Sequence, residues 1–222
     1  MTGKERAARE AVKEVKNHMI LGLGSGSTVE YFIQALSEKI KEENLEITTV
    51  STSVKSRNLA EKLGIKVTDF SQIYYVDLTI DGADEVTREL EAIKGGGGSL
   101  LNEKLVAMAS KEVIFIVHAE KVVKTLGAFP LAVEVVPFYK EKIFEIFKEK
   151  SYQPSYRMKE GNLFVTDGGN SIIDLHLHEI MDPTKLHREL KMMSGVIDTG
   201  LFLDIAKKVI VGHNENVEIL IL

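Results

Sequence analysis

Apolar residues in the first half of the chain switch between a helical spacing and short continuous runs, and each switch marks a new element. Thr2-x-x-Glu5 has the form of a capping box. Ala8, Ala11, Val12 and Val15 then recur at helical intervals, which predicts a helix over 3–17. Residues 19–23 follow as a short buried strand. Beyond the glycine-rich stretch from Gly22 to Thr28, Val29, Phe32, Ile33, Leu36 and Ile40 share one helical face, so that stretch joins a strand to a helix. Apolar runs at 47–50, 76–80 and 113–117 alternate with helical segments near 54–63 and 99–110. Strands separated by helices predict an α/β fold, a Rossmann-like parallel sheet with covering helices.

The pattern changes near Pro130. Residues 131–136 begin a series of shorter strands, and 138–150 carry a helical apolar face through Ile143, Ile146 and Phe147. Strands predicted at 153–158, 162–166 and 171–177 are joined by Glu160-Gly161-Asn162 and Gly168-Gly169-Asn170, as antiparallel hairpins would be. Asp182-Pro183 suits an N-cap followed by a first-turn proline, opening a helix over 183–192. A smaller α+β domain of ferredoxin-like type, 129–201, is therefore expected as an insertion. The α/β domain comprises 1–128 and 202–222, with the apolar runs at 209–211 and 217–222 returning to it. The chain has no internal repeat.

A length of 222 residues suits one principal domain with a smaller second unit, and 44% hydrophobic with 27% charged residues is the balance of an ordered globular chain. The net charge of −5 gives no electrostatic reason to expect nucleic acid or an anionic membrane as partner, although a small anion can still bind locally. Cysteine is absent, which excludes disulfides, thiol catalysis and thiolate metal sites. Lys4, Glu5, Arg6 and Arg9 occupy the place of an apolar leader, and no run approaches the roughly 18 apolar residues that span a bilayer. A soluble, cytoplasmic protein is expected.

Three stretches carry candidate chemistry. The small residues and hydroxyls of Gly22 to Thr28 would let backbone N–H groups and a helix N-terminus surround a phosphate. The stretch lacks a Walker A lysine, Ser27 stands where a dinucleotide fingerprint has its third glycine, and a ligand-free turn fits it as well. Asp81-Gly82-Ala83-Asp84 emerges at the carboxyl end of the strand at 76–80, the edge where open α/β sheets bind ligands. Such acids serve as metal ligands, as an acid/base pair, as acceptors for sugar hydroxyls, or simply as turn caps. Lys94-Gly95-Gly96-Gly97-Gly98-Ser99 is costly to order, which favours a rigid use such as backbone approach to an anion. Ser99 would cap a helix whose apolar stripe is Leu101, Leu105 and Met108, leaving Glu103 off its centre, where a glutamate alone could merely complement the dipole. Lys121 follows the strand at 113–117, and Lys4 could reach toward a phosphate; solvated lysines are the plain alternative. His176 and His178 share a strand face, but no third metal ligand is placed, so they read as exposed histidines.

Taken in order, Gly-x-Gly-Ser-Gly-Ser-Thr, Asp81-Gly-Ala-Asp84, Lys94-Gly-Gly-Gly and Glu103-Lys104 closely resemble the type A ribose-5-phosphate isomerases. The resemblance continues through Phe129-Pro130-Leu131-x-Val133-Glu134-Val135, Val165-Thr166-Asp167-x-Gly169-Asn170, and Gly195-Val196 to Gly200-Leu201-Phe202, covering nearly the whole chain. It implies an aldose–ketose isomerase without cofactor or metal. Such an enzyme interconverts D-ribose 5-phosphate and D-ribulose 5-phosphate through an ene-diolate in the non-oxidative pentose phosphate pathway. A homodimer or homotetramer is implied as well. Glu103 would be the catalytic base, with Asp81, Asp84 and Lys94 as its polar partners. Ser25, Gly26, Ser27 and Thr28 would form the substrate loop, with Gly82, Ala83, Gly95, Gly96, Gly97 and Lys121 also touching substrate and Lys4 helping to hold phosphate. His118 departs from the pattern, standing where some relatives are expected to have an aspartate. Three rivals fit less well. A sugar-phosphate-binding regulator would bring a DNA-binding segment, a CoA transferase of related fold does not need the paired aspartates and lysine, and a nicotinamide dehydrogenase needs the missing fingerprint.

Overall fold

In the computed structural model, which describes residues 1–222, α1 (Gly3–Val12) begins where the capping box predicts, with Thr2 Oγ1 accepting from the Glu5 N–H at 3.3 Å. It stops short of the predicted end because the chain turns at Lys13 and Glu14; Val15 is nonetheless buried, held by packing rather than by the helix. Next come β1 (Ile20–Leu23), α2 (Ser27–Glu43), β2 (Thr48–Ser51), α3 (Val54–Lys62) and β3 (Val76–Asp81), all close to their predicted places. Two-residue strands β4 (Glu85–Val86) and β5 (Ala92–Ile93) precede α4 (Leu100–Met108) and β6 (Ser110–His118). The remaining elements are β7 (Leu131–Val135), α5 (Lys140–Glu149), β8 (Pro154–Tyr156), β9 (Met158–Lys159), β10 (Asn162–Leu163), β11 (Ser171–Leu175) and α6 (Pro183–Lys191), then β12 (Val196–Thr199), β13 (Leu201–Phe202), β14 (Lys208–Gly212) and β15 (Val217–Ile221).

The main sheet has the order β15-β14-β6-β3-β1-β2, parallel throughout except for β15. Alternation along β6 divides the core in two. Ile114 and Ile116 join Phe32, Ile33 and Leu36 under α1 and α2, while Val113, Phe115 and Val117 join Phe202 on the opposite face. Each of these side chains, once buried, contributes about 1.5–3 kcal/mol to stability. No helix is long and apolar enough to cross a membrane.

The second sheet, β12-β7-β11-β8, is antiparallel, and the sequence β7-α5-β8-β11-α6-β12 is the βαββαβ of a ferredoxin-like unit. Its helices bury Ile143, Phe147 and Leu190 against Val133, Val135 and Ile173. The hairpins are smaller than predicted. The strand at 162–166 shrinks to β10, paired with β9 across Glu160 and Gly161, whose φ angles of 51° and 81° suit a two-residue turn. A third sheet, β13-β5-β4, was not predicted at all, because two-residue strands leave no periodicity to read.

Candidate active site

The strands β1, β3 and β6 are neighbours, so the loops at their carboxyl ends converge on one cleft. Gly24, just after β1, lies directly on Asp81: a Cβ there would stand 2.1 Å from Asp81 Oδ1. This close approach lets Asp81 Oδ1 accept from the Ser25 N–H at 2.9 Å and the Gly82 N–H at 2.7 Å, tying two loops together. Asp81 Oδ2 is 3.0 Å from Lys94 Nζ, which also lies 3.2 Å from Glu103 Oε2 and donates to Gly82 O at 2.6 Å. Ser25 Oγ donates to Glu103 Oε1, and the buried Glu103 Oε2 has no hydrogen bond beyond its ion pair with Lys94. On the other wall, Asp84 Oδ2 accepts from the Gly96 N–H at 2.7 Å, and at the far end Lys4 Nζ donates to Ser27 Oγ at 2.9 Å.

The cleft encloses about 190 Å³ and is lined by every predicted site residue except Asp81, together with Val117 and His118. Asp81 is only 1% exposed and sits behind Lys94, 3.0 Å from its Nζ, rather than in the wall. Lys121 stands at the rim with its Nζ 5.3 Å from the Phe129 ring. His118 lies between Lys4 and Lys121, and burial followed by Lys4 pushes its imidazole pKa down. His176 pairs with Ser155 Oγ at 2.9 Å and His178 is exposed.

Helix α4 inverts the predicted stripe. Leu105 and Met108 are 48% and 73% exposed, whereas Glu103 and Lys104 face inward. The inward charges are compensated in place: Glu103 meets Lys94 and Ser25, and Lys104 Nζ is 2.5 Å from Asp198 Oδ1 and donates to Thr199 O at 2.6 Å. Ser99 occupies the N-cap position but its side chain makes no capping bond.

Asp81 and Glu103 both pair with the buried Lys94, and Asp84 feels its charge. Burial pushes Asp81 up to about 7, against the pull of Lys94, with the Glu103 charge adding to the rise. Burial likewise raises Asp84, opposed by its bond from Gly96 and by Lys94. Burial works against the Lys94 ammonium, but Asp81 and Glu103 outweigh it and raise its pKa, so the lysine stays charged. The result is a fixed positive charge, a buried carboxylate paired with it and backbone N–H groups of the glycine loop around one small space. Proton transfer beside a carbonyl, with the developing oxyanion stabilised, is chemistry this arrangement can perform.

Residues 48–216 match the family profile of ribose 5-phosphate isomerase A, also called phosphoriboisomerase A. The chain is 47% identical over 218 residues to the ribose-5-phosphate isomerase A of Limosilactobacillus reuteri, covering 98% of this chain and 96% of that one. The same enzyme of Streptococcus agalactiae is 47% identical, with 98% and 97% covered. Among solved structures, a D-ribose-5-phosphate isomerase in complex with phospho-erythronic acid superposes with a TM-score of 0.95 at 37% identity, covering 99% of this chain and 98% of that one. The ribose 5-phosphate isomerase of Methanocaldococcus jannaschii superposes with a TM-score of 0.94 at 36% identity, with the same coverage. With this sequence identity, over this much of its length and on this same fold, the chain belongs to the ribose-5-phosphate isomerase A family.

Proposed function

We propose that the chain isomerises D-ribose 5-phosphate and D-ribulose 5-phosphate, the reaction of its family in the pentose phosphate pathway, by a proton shuttle on Glu103. The observation that carries this reading is the buried Glu103 carboxylate lining the cleft, bonded to Ser25 through Oε1 and ion-paired to Lys94 through Oε2, with no further hydrogen bond on Oε2. Starting from the aldose, Glu103 takes the proton on C2, the C–H electrons form the C1–C2 double bond, and the carbonyl oxygen becomes an oxyanion. Glu103 then returns that proton to C1 while the C2 hydroxyl proton passes to the C1 oxygen, leaving the ketose. Lys94 and the glycine-loop N–H groups form the cradle for the oxyanion. Asp84, whose pKa burial raises, is suited to protonating the ring oxygen of the closed sugar; Asp81 holds Lys94 in place.

The phosphate sits against residues Ser25 to Thr28 at the N-terminus of α2, where free N–H groups and Lys4 favour an anion. Anchoring that end aligns C1 and C2 with Glu103. No group of three or more histidine or carboxylate side chains stands in ligating geometry, and the reaction as drawn uses no metal or cofactor. Chelation should therefore leave turnover intact; loss with EDTA and recovery with a divalent ion would reassign the aspartates as ligands. The same reading divides the chain into 1–128 with 202–222 and 129–201, and has it act in the cytoplasm, since charged sugar phosphates do not cross membranes. A homodimer or homotetramer is the expected assembly.

Glu103→Gln keeps shape and removes the base. It should fold and bind substrate, yet lose roughly 10²–10⁴-fold in kcat and cease exchanging the carbon-bound proton with deuterated solvent. Normal exchange in a folded variant would reject Glu103 as the base.

A further inference from the structure

Arg157 lies outside the cleft wall, between β8 and β9, and the reaction described above does not use it. Its backbone is fixed within the inserted domain, where its N–H donates to Ile172 O at 3.0 Å and its carbonyl accepts from the Phe164 N–H at 2.9 Å. Its guanidinium is gripped by Asp174 of β11: Nε donates to Oδ2 at 2.9 Å and Nη2 donates to Oδ1. Both side chains are well buried, with 13% and 15% exposed. The remaining nitrogen, Nη1, reaches out of the domain and donates to the carbonyl oxygens of Gly95 and, at 3.3 Å, Gly96. Phe164 adds a second contact, its ring filling the place a side chain at Gly98 would occupy.

Peptide planarity turns this carbonyl grip into a statement about the cleft. In a trans peptide the C=O and the following N–H point in opposite directions. The Gly95 carbonyl faces Arg157, and the N–H of the same unit, on Gly96, faces Asp84 Oδ2 at 2.7 Å. The Gly96 carbonyl also faces Arg157, so the Gly97 N–H is turned the other way, into the wall of the cleft, where it has no partner in the protein. Four consecutive glycines have little conformational preference of their own, and a flip of either unit would put a carbonyl where a donor is needed.

We propose that Arg157, itself held by Asp174, is a positioning residue for the isomerisation: it draws back the Gly95 and Gly96 carbonyls, and so keeps the Gly96 N–H on Asp84 and aims the free Gly97 N–H at the developing oxyanion. The proposal rests on the reading of the glycine loop as the oxyanion cradle. It gives the inserted domain a part in the chemistry rather than in phosphate binding, which lies with Lys4 and α2.

The test compares Arg157→Lys, which keeps the charge and the stem but loses the planar fork, with wild type, and uses Asp174→Asn as a second, nearly isosteric variant. Two inhibitors separate the ends of the cleft: inorganic phosphate for the phosphate end, and phospho-erythronic acid, whose carboxylate imitates the ene-diolate. Both variants should lose on the order of 10- to 100-fold in kcat and a similar factor in phospho-erythronic acid affinity. Phosphate inhibition and KM should shift far less. Unchanged kcat in Arg157→Lys and Asp174→Asn would overturn the proposal. So would an equal loss of both inhibitors, because the defect would then be general. Failure of the cradle reading itself shows in wild type, as phospho-erythronic acid binding no tighter than phosphate, and is thereby distinguished from failure of the clamp.

Discussion

Lys94 is the residue on which the site's electrostatics turn. One ammonium faces Asp81 at 3.0 Å and Glu103 at 3.2 Å, so the two acids compete for it, and burial leaves Asp81 with a pKa of about 7 against an ordinary 3.8. The sign of the consequence follows from proton counting. Between those values the folded protein keeps a proton on Asp81 that the unfolded chain has released. Its contribution to stability is therefore present below the unfolded pKa and is lost as pH rises through about 7. Urea titrations should show the stability of wild type relative to Asp81→Asn shrinking from about pH 5 to about pH 8; a constant or growing difference would refute the assignment. Sequence pattern made Asp81, Asp84 and Lys94 conspicuous, because Asp81 and Lys94 adjoin glycines and Asp84 closes the turn after the strand. It misjudged Glu103, whose place on α4 suggested the helix surface. Only the resemblance to known isomerases marked it as a base, since the buried lysine that draws it inward comes from a separate loop. Arg157 left no local signal at all: its targets are carbonyls far away in the chain.

At the scale of elements, the proposed mechanism divides the labour between the strand-to-helix turn before α2, at the phosphate end, and the glycine loop before α4, at the reacting carbons. Thr28, buried in the first turn of α2, belongs to the former. Thr28→Ala should raise KM roughly 5- to 30-fold, as loss of a hydrogen bond to a charged group of about 1–2 kcal/mol does, while kcat falls by less than about threefold. An unchanged KM in the folded variant would remove Thr28 from the phosphate site. The elements that frame this division were legible because each buries enough apolar side chains to leave a period, as β6 and α2 do. Those that were missed are set by partners instead. β5 pairs with β4 on one side and β13 on the other, through two residues each.

At the scale of the whole molecule, the proposed reading has the inserted domain complete the site. Gly200 O accepts the Lys94 N–H at 2.8 Å, Asp198 holds Lys104 next to Glu103, and Arg157 donates to the glycine loop. One surface is left without a comparable explanation. β15 is an edge strand, and alternation buries Leu220 while leaving Ile219 and Ile221 exposed at 46% and 65%. An apolar pair on an unpaired edge invites another chain, and the occupant that suits the homo-oligomer proposed above is a second copy. By sedimentation equilibrium, wild type should exceed the mass of one chain, and the double variant Ile219→Lys with Ile221→Lys should fall to a smaller species. Its kcat/KM should stay within about twofold, as expected for surface changes away from the cleft. A monomeric wild type would reject the assembly, and a double variant of unaltered size would place the interface on another face.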